Sequence, residues 1–344
     1  MMTTKAAAAP SPLTLPLQFE PLFMERVWGG RRLEQLYHKR LPPGARIGES
    51  WEIVDREEAQ SVVHDGPLRG ATLHELWSGP RRAEIFGARL PAAPRFPLLV
   101  KILDAQDRLS IQVHPPADAA ARLGGEPKTE LWFIAHAEKG AELYAGLARK
   151  GVTAETLEAA LHSGTAADLV HRLSVKAGDA MFIPSGRLHA IGAGNLIVEI
   201  QQNSDTTYRV FDWNRLGLDG KPRPLHLAQS LQSIDFRDVA PALQPAAPGP
   251  AGGVLASCPY FQVERWPLLP PAAATSPRMA LENAGGRCAI FNVLSGRVEC
   301  AGAKFKAGEF FLVPAALAEA TITAATANTA NTAADTAVLR TTLP

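Results

Sequence analysis

Three cysteines in 344 residues, Cys258, Cys288 and Cys300, form an odd set in the last third of the chain with no zinc-knuckle spacing. They exclude a disulfide framework and read as free thiols of a reducing compartment. Net charge is as scarce as cysteine: 35 basic side chains face 34 acidic ones, a formal balance of +1. That balance excludes a global field for nucleic acid or an anionic membrane, so any phosphate recognition must come from a local cluster of Lys and Arg. No apolar run approaches the roughly 18–20 residues that span a bilayer. The opening "MMTTKAAAAPSPLTLP" carries one lysine and a four-alanine stretch, too weak for a secretory core. The expected setting is the cytoplasm, with no membrane and no nucleic-acid partner. No spare segment could supply a DNA-binding helical module.

What is there is a chain of short apolar runs broken by Gly and Pro. "GESWEIV", "YFQVERWPL", "CAIFNVLSGRVEC" and "GEFFLVPA" read as strands. "RFPLLVKILDAQDRLSIQVHP" reads as two buried strands turning at residues 104–107, and "ELWFIAHAEKGAELYAGL" as a hairpin turning at Lys139 and Gly140. "TLHELWS" predicts a short helix with Thr72 as N-cap and Glu75 three residues on. Over 153–173 the period changes: Leu157, Leu161, Leu169 and Leu173 fall at helical spacing, divided by Gly164, which predicts two short helices. "PALQPAAPGPAGG" (241–253) is the clearest linker, and the end of the chain is Ala/Thr-rich. A faint repeat joins "AGDAMFIPSGRLHA" (177–190) to "AGEFFLVPAALAEA" (307–320). The second copy has Ala316 for Gly186 and Glu319 for His189, which suggests two related β lobes of which one binds metal.

The first copy is the more telling. Pro184 and Gly186 end an apolar strand, and His189 follows by three residues. Upstream, "SIQVHPPAD" places Gln112 and His114 two apart, on one face of a strand. Glu130 opens another strand sixteen residues later. Two imidazoles, a carboxylate and an amide oxygen suit Zn²⁺ or another divalent first-row metal with positions left open.

This Gln-x-His, Glu, Gly-x5-Pro-x-Gly-x2-His arrangement resembles the two motifs of the cupin superfamily. The usual first motif is His-x-His, so Gln112 departs from it, and the departure favours zinc Lewis-acid chemistry over iron–oxygen redox chemistry. "LSIQVHP" resembles the zinc-binding segment of type I phosphomannose isomerases, in their short bacterial form, and the similarity runs from "FEPLFMERVWGG" to "LSGRVECAGAKFKAGEFFLVPA". Lys101 nine before Ser110, Lys128 two before Glu130, and "EIQQNSDTTYR" from Glu199 to Arg209 add to it. The resemblance implies an all-β fold of two cupin (jelly-roll β-barrel) lobes with a small helical insertion. The expected division is a flexible tail over 1–15, a catalytic cupin domain over 16–245 with the insertion near 153–173, and a second, metal-free cupin-like lobe over 246–344.

It further implies a monomeric or small homo-oligomeric aldose–ketose isomerase. Such an enzyme interconverts mannose 6-phosphate and fructose 6-phosphate through an enediol, with one Zn²⁺ per chain on Gln112, His114, Glu130 and His189. Lys128, Glu199 and Asp205 are then all candidates for the base, and Arg209 stabilises the C1/C2 oxygens or binds phosphate. Ser110, Lys101 and Arg215 are the phosphate candidates, and Trp28, Glu49 and Trp51 are expected at the pocket rim. Two alternatives stand beside this reading: a cupin metal-dependent oxygenase and a non-catalytic sugar-binding cupin. Gln112 and the "SDTTYR" segment speak against the first. The retained Lys128, Glu199, Asp205 and Arg209 speak against the second.

Overall fold

The computed structural model describes residues 13–244, 252–268, 279–280, 286–317, 319–325 and 336–344. The first twelve residues of the expected tail, the middle of the linker (245–251) and the middle of the Ala/Thr-rich segment (326–335) lie outside the described residues. Leu13, placed in the tail by its sequence, is buried in the core.

The first lobe contains β1 (Leu22–Gly30), β2 (Ile47–Ile53), β3 (Asp55–Arg56), β4 (Ala59–Gln60), β5 (Leu98–Ala105), β6 (Ile111–Val113), β7 (Glu130–Ala137), β8 (Glu142–Leu147), β9 (Val170–Ser174), β10 (Ala180–Ile183), β11 (His189–Ile191), β12 (Asn195–Gln202) and β13 (Tyr208–Phe211). The second contains β14 (Gly253–Ser257), β15 (Gln262–Leu268), β16 (Met279–Ala280), β17 (Ala289–Ser295), β18 (Arg297–Cys300), β19 (Ala303–Lys306), β20 (Phe310–Val313), β21 (Thr321–Ala324) and β22 (Thr336–Thr342). Short helices α1 (Arg32–Tyr37), α2 (Leu73–Ser78), α3 (Arg82–Phe86), α4 (Ala117–Leu123), α5 (Ala154–Ser163) and α6 (Leu227–Ser233) fill the connections. No helix among the described residues is long and apolar enough to cross a membrane.

In the first lobe a six-stranded sheet, β1-β2-β5-β12-β7-β10, accompanies a five-stranded sheet, β13-β6-β11-β8-β9. The second lobe pairs β14-β15-β22-β17-β20 with β16-β21-β18-β19. The blocks β5-β12-β7-β10 and β6-β11-β8-β9 recur as β15-β22-β17-β20 and β16-β21-β18-β19, so strands β5 to β12 and β15 to β22 follow one jelly-roll order. The faint sequence repeat falls on β10 and β20 and the turns that leave them.

The long strands explain their own composition. All eight residues of β5 are buried, yet they alternate between two environments. Leu98, Val100 and Ile102 join a core that also holds Phe261, Ile290 and Leu312 of the second lobe. Lys101 and Leu103 point the other way, into the first barrel, where Leu103 packs with Trp132, Met181 and Ile197. A strand buried on both faces loses the apolar–polar alternation of a half-exposed one.

Three expectations about elements are corrected. The runs at 95–115 and 130–147 are not hairpins: β5 and β6, β7 and β8, and β10 and β11 each lie in opposite sheets. A period of two identifies a strand and says nothing of its partner, and in a jelly roll these turns are arches between sheets. The 153–173 segment holds one α-helix, α5, capped by Thr153 and ended by left-handed Gly164. The second expected helix is a single 3₁₀ turn (Ala166–Leu169), after which β9 pairs with β8. α2 forms as its sequence predicts, with the Thr72–Glu75 capping box in place.

Candidate active site

Register alone assembles two rows of side chains inside the first lobe. On the larger sheet, Trp51, Lys101, Glu199 and Trp132 are successive cross-strand neighbours. On the smaller sheet, Arg209 and His189 each pair with Gln112. The two rows meet where the His189 ring abuts Trp132 edge-on, with ring centroids 5.3 Å apart.

His114, Glu130 and His189 converge at this meeting point, their ligand atoms all within 4.8 Å of one another. Among the described residues no other group of three His, Cys, Asp or Glu does so. Glu130 Oε1 lies 3.6 Å from His114 Nε2 and 3.5 Å from His189 Nε2. Each imidazole is locked from behind. His114 Nδ1 donates to the Thr206 carbonyl at 2.9 Å, and His189 Nδ1 donates to the Arg187 carbonyl at 2.8 Å. A carbonyl can only accept, so Nδ1 carries the proton in both rings and both Nε2 lone pairs face the centre. The arch through Pro184 and Gly186 holds the arrangement: Gly186, at φ +89°, donates its N–H to the His114 carbonyl at 2.8 Å.

These residues fit a divalent cation. His114 Nε2 and Glu130 Oε1 are buried without a hydrogen-bond partner, while Glu130 Oε2 faces only the Lys128 ammonium. Each orphan costs about 1–3 kcal/mol, and a bound cation removes that cost for both together. The electrostatics point the same way. Burial, followed by the neighbouring His114, brings His189 down to about 3, and burial with Lys128 holds His114 well below the usual imidazole range. For Glu130, burial acts to raise the carboxyl, but Lys128 and His189 outweigh it and the group stays ionised. Neutral imidazoles beside a carboxylate are the protonation states a metal needs. The Gln112 amide lies 3.4 Å from His189 Nε2, so a turn of that amide presents its oxygen to the same centre.

Charged side chains continue along the cleft. Lys101 Nζ is 2.9 Å from Glu199 and 3.5 Å from Glu49. Burial opposes its charge, yet Glu199 and Glu49 prevail and its pKa is raised. Glu199 also accepts the Trp132 indole N–H at 2.8 Å. Glu49 accepts from Arg26 at 2.8 Å and from Trp51 at 2.6 Å. Lys128 Nζ sits 3.2 Å from Glu130 Oε2.

The cleft itself encloses about 310 Å³ and is polar, lined among others by Ser110, Gln112, Asp205, Arg209 and Arg223. Trp28 and Glu49 stand in its wall as expected, while Trp51 acts from behind through its bond to Glu49. Lys101 lines it with its ammonium already committed to two carboxylates. Arg215 does not line it. Its guanidinium is spent on Asp212, Asp107 and the Arg108 carbonyl.

The sequence reading missed Arg26, although it lies inside "FEPLFMERVWGG", and Arg223, which belongs to no motif. It also missed Trp132 as the donor that fixes Glu199. Period two from Glu130 does place Trp132 on the same face, and that was the available signal.

A family model described as "Phosphomannose isomerase type I, catalytic domain" matches residues 17–124. The chain is 37% identical over 316 residues to mannose-6-phosphate isomerase ManA of Bacillus subtilis, covering 89% of this chain and 95% of that protein. It is similar in structure to a crystallised mannose 6-phosphate isomerase from Bacillus subtilis, with a TM-score of 0.77 at 29% identity, covering 95% of this chain and 99% of the other. A mannose 6-phosphate isomerase crystallised with zinc and yttrium shares the fold at a TM-score of 0.69 and 16% identity, covering 95% of this chain and 99% of the other.

Proposed function

The chain belongs to the type I phosphomannose isomerase family and is a mannose-6-phosphate isomerase; from that premise we propose that it moves a proton between C2 and C1 of the sugar through an enediol, with one Zn²⁺ per chain held by Gln112, His114, Glu130 and His189. The observation that carries the metal reading is the set of buried, unpartnered atoms on His114 and Glu130, faced by two imidazoles whose tautomers are fixed from behind. The relative crystallised with zinc supports the choice of metal. A zinc ion in such a site supplies Lewis-acid polarisation of neighbouring sugar oxygens.

The chain's own groups account for the rest. The C2 proton needs a base, and the same group or a neighbour must return it to C1. Glu199 is the best-held candidate, buried and fixed by the Trp132 indole and the Lys101 ammonium. Asp205 is exposed on the cleft rim, where it can pass a proton to solvent. Lys128, against Glu130, offers its ammonium to a sugar oxygen as negative charge grows there. Arg209, in register with Gln112, brings a guanidinium to the C1/C2 oxygens and cannot itself serve as a base. Ser110 lies beside Gln112 in the cleft wall and is retained for the phosphate end. The chemistry stays within residues 16–245. The lobe over 246–344 is metal-free support, and the enzyme works in the cytoplasm as a monomer or small homo-oligomer.

Turnover of mannose 6-phosphate in D₂O tests the proton route. The enediol predicts fructose 6-phosphate with solvent deuterium at C1 in at least part of the product. Full turnover with no deuterium incorporated would overturn a route in which the base exchanges its proton with solvent through Asp205.

A further inference from the structure

Five cationic side chains line the cleft: Arg26, Lys101, Lys128, Arg209 and Arg223. A phosphate needs donors that are not already spent. Arg26 is bound to Glu49, Lys101 to Glu49 and Glu199, and Lys128 to Glu130. Arg209 gives Nη1 to the Pro224 carbonyl at 2.9 Å and keeps a buried, unpartnered Nε, but it is in register with Gln112, next to the ligand set, where its open donors serve the sugar's C1/C2 oxygens. Arg223 is held differently, by a carboxylate. Its Nε and Nη2 form a fork on Asp212, at 2.7 Å and 2.6 Å, and Nη1 carries no bond.

Asp212 sits at the end of β13 with a side chain 6% exposed, and it holds two arginines at once. Arg215 takes Oδ1 with Nε at 3.1 Å and Nη2 at 2.9 Å, while its Nη1 is occupied by Asp107 and the Arg108 carbonyl. All three nitrogens of Arg215 are therefore used, and it works as a brace that keeps Asp212 in place. Arg223 is left with one edge fixed and the other open, a pre-oriented guanidinium whose remaining N–H groups suit a dianionic phosphate.

We infer that Arg223, aimed by Asp212, is the anchor for the substrate's phosphate group, and that Asp212 and Arg215 are positioning residues for it. This rests on the isomerase reading for the identity of the substrate, while the anion site rests on the side-chain geometry alone. An Arg–phosphate contact made equally in ground and transition states contributes to binding and not to turnover.

The test uses the metal-loaded enzyme and two readouts, steady-state kinetics with mannose 6-phosphate and calorimetric binding of inorganic phosphate. For Arg223→Gln the expected result is a KM raised at least about tenfold, kcat within about threefold of the parent, and phosphate binding weakened by a similar factor to KM. Asp212→Asn is expected to reproduce part of the KM effect. If Arg223→Gln does not fold, Arg223→Lys, which keeps the charge and loses the fork, gives the same two constants, expected between those of the parent and Arg223→Gln. Unchanged KM and unchanged phosphate affinity in a folded Arg223 variant would overturn the assignment, as would a tenfold KM effect in Arg215→Gln without one in Arg223→Gln. Phosphate that binds the parent and not the Arg223 variant, in a protein that turns over neither sugar phosphate, would retain the anion site and remove the isomerase reading instead.

Discussion

Glu49 is buried among Arg26, Trp51 and Lys101, and its charge survives only because of them. Burial is the largest single influence and acts to raise its pKa; Lys101, Arg26 and the two hydrogen bonds outweigh it and bring the group from 4.5 down to about 2. A carboxyl whose folded-state pKa is depressed adds stability above its unfolded value and loses it as pH falls through the folded one. Glu49 therefore contributes fully above about pH 4.5 and progressively less down to about pH 2. Glu49→Gln is expected to lower stability at neutral pH by on the order of 3 kcal/mol and to flatten the acid limb of the unfolding curve in that window. Urea melts at several pH values read this directly, and a parallel pair of curves would refute it. At this scale the sequence was most legible where a motif had spacing. Gln112, His114, Glu130 and His189 stand out by the period of a strand and the grammar of a turn. Arg223 lies between Gly220 and Pro224 in a loop of no recognisable pattern, and only the side-chain geometry singles it out. Lys101 and Glu199 were visible one by one, but their pairing across 98 positions of sequence comes from the β5–β12 register.

The arch from β10 to β11 is the element on which the site depends most. Gly186 takes φ +89°, its N–H reaches the His114 carbonyl, and its own carbonyl accepts from Asp235. A Cβ there would meet the Ser233 carbonyl oxygen at 3.3 Å, on top of the left-handed backbone cost of about 1–2 kcal/mol. Gly151 shares the conformation, at φ +83°, but a Cβ on it meets nothing within 4 Å. Gly186→Ala and Gly151→Ala are thus both expected to destabilise, the first somewhat more, and the first alone weakens zinc retention, because it moves the ends that carry His114 and His189. Equal zinc affinity in the two variants would show that the arch does not position the ligands. Strands were legible here from alternation and from Gly and Pro. Their partners were not: the apparent hairpins are crossings between sheets, and nothing local distinguishes a hairpin turn from an arch. The second half of the helical segment failed for a related reason. Leu169 and Leu173 keep a helical spacing, but after Gly164 the chain has β8 to pair with, and tertiary pairing overrides a short periodic run.

At the scale of the molecule, one jelly roll is used twice for different ends. In the first, Ile183, just before Pro184, pairs with Glu130; in the second, Val313, just before Pro314, pairs with Ala289. The carboxylate position has become an alanine methyl, and Glu319, aligned with His189, is exposed in the turn before β21. What the second lobe retains is an apolar face, whose Phe261, Ile290 and Leu312 share a core with Leu98, Val100 and Ile102 of the sheet that carries Lys101. The repeat in the sequence was faint because only the turn grammar survives, while the shared strand order is kept by pairing that no short segment records. The central claim is that the first lobe holds one catalytic metal between its two rows of side chains. Titration of metal-stripped enzyme with Zn²⁺, reading bound metal and mannose 6-phosphate turnover together, tests it most directly. Activity should rise in proportion to bound zinc and level off at one ion per chain, and His189→Ala should bind no zinc at that site and show no activity while still unfolding cooperatively. Full turnover by the metal-free protein, or by His189→Ala without bound metal, would contradict the account.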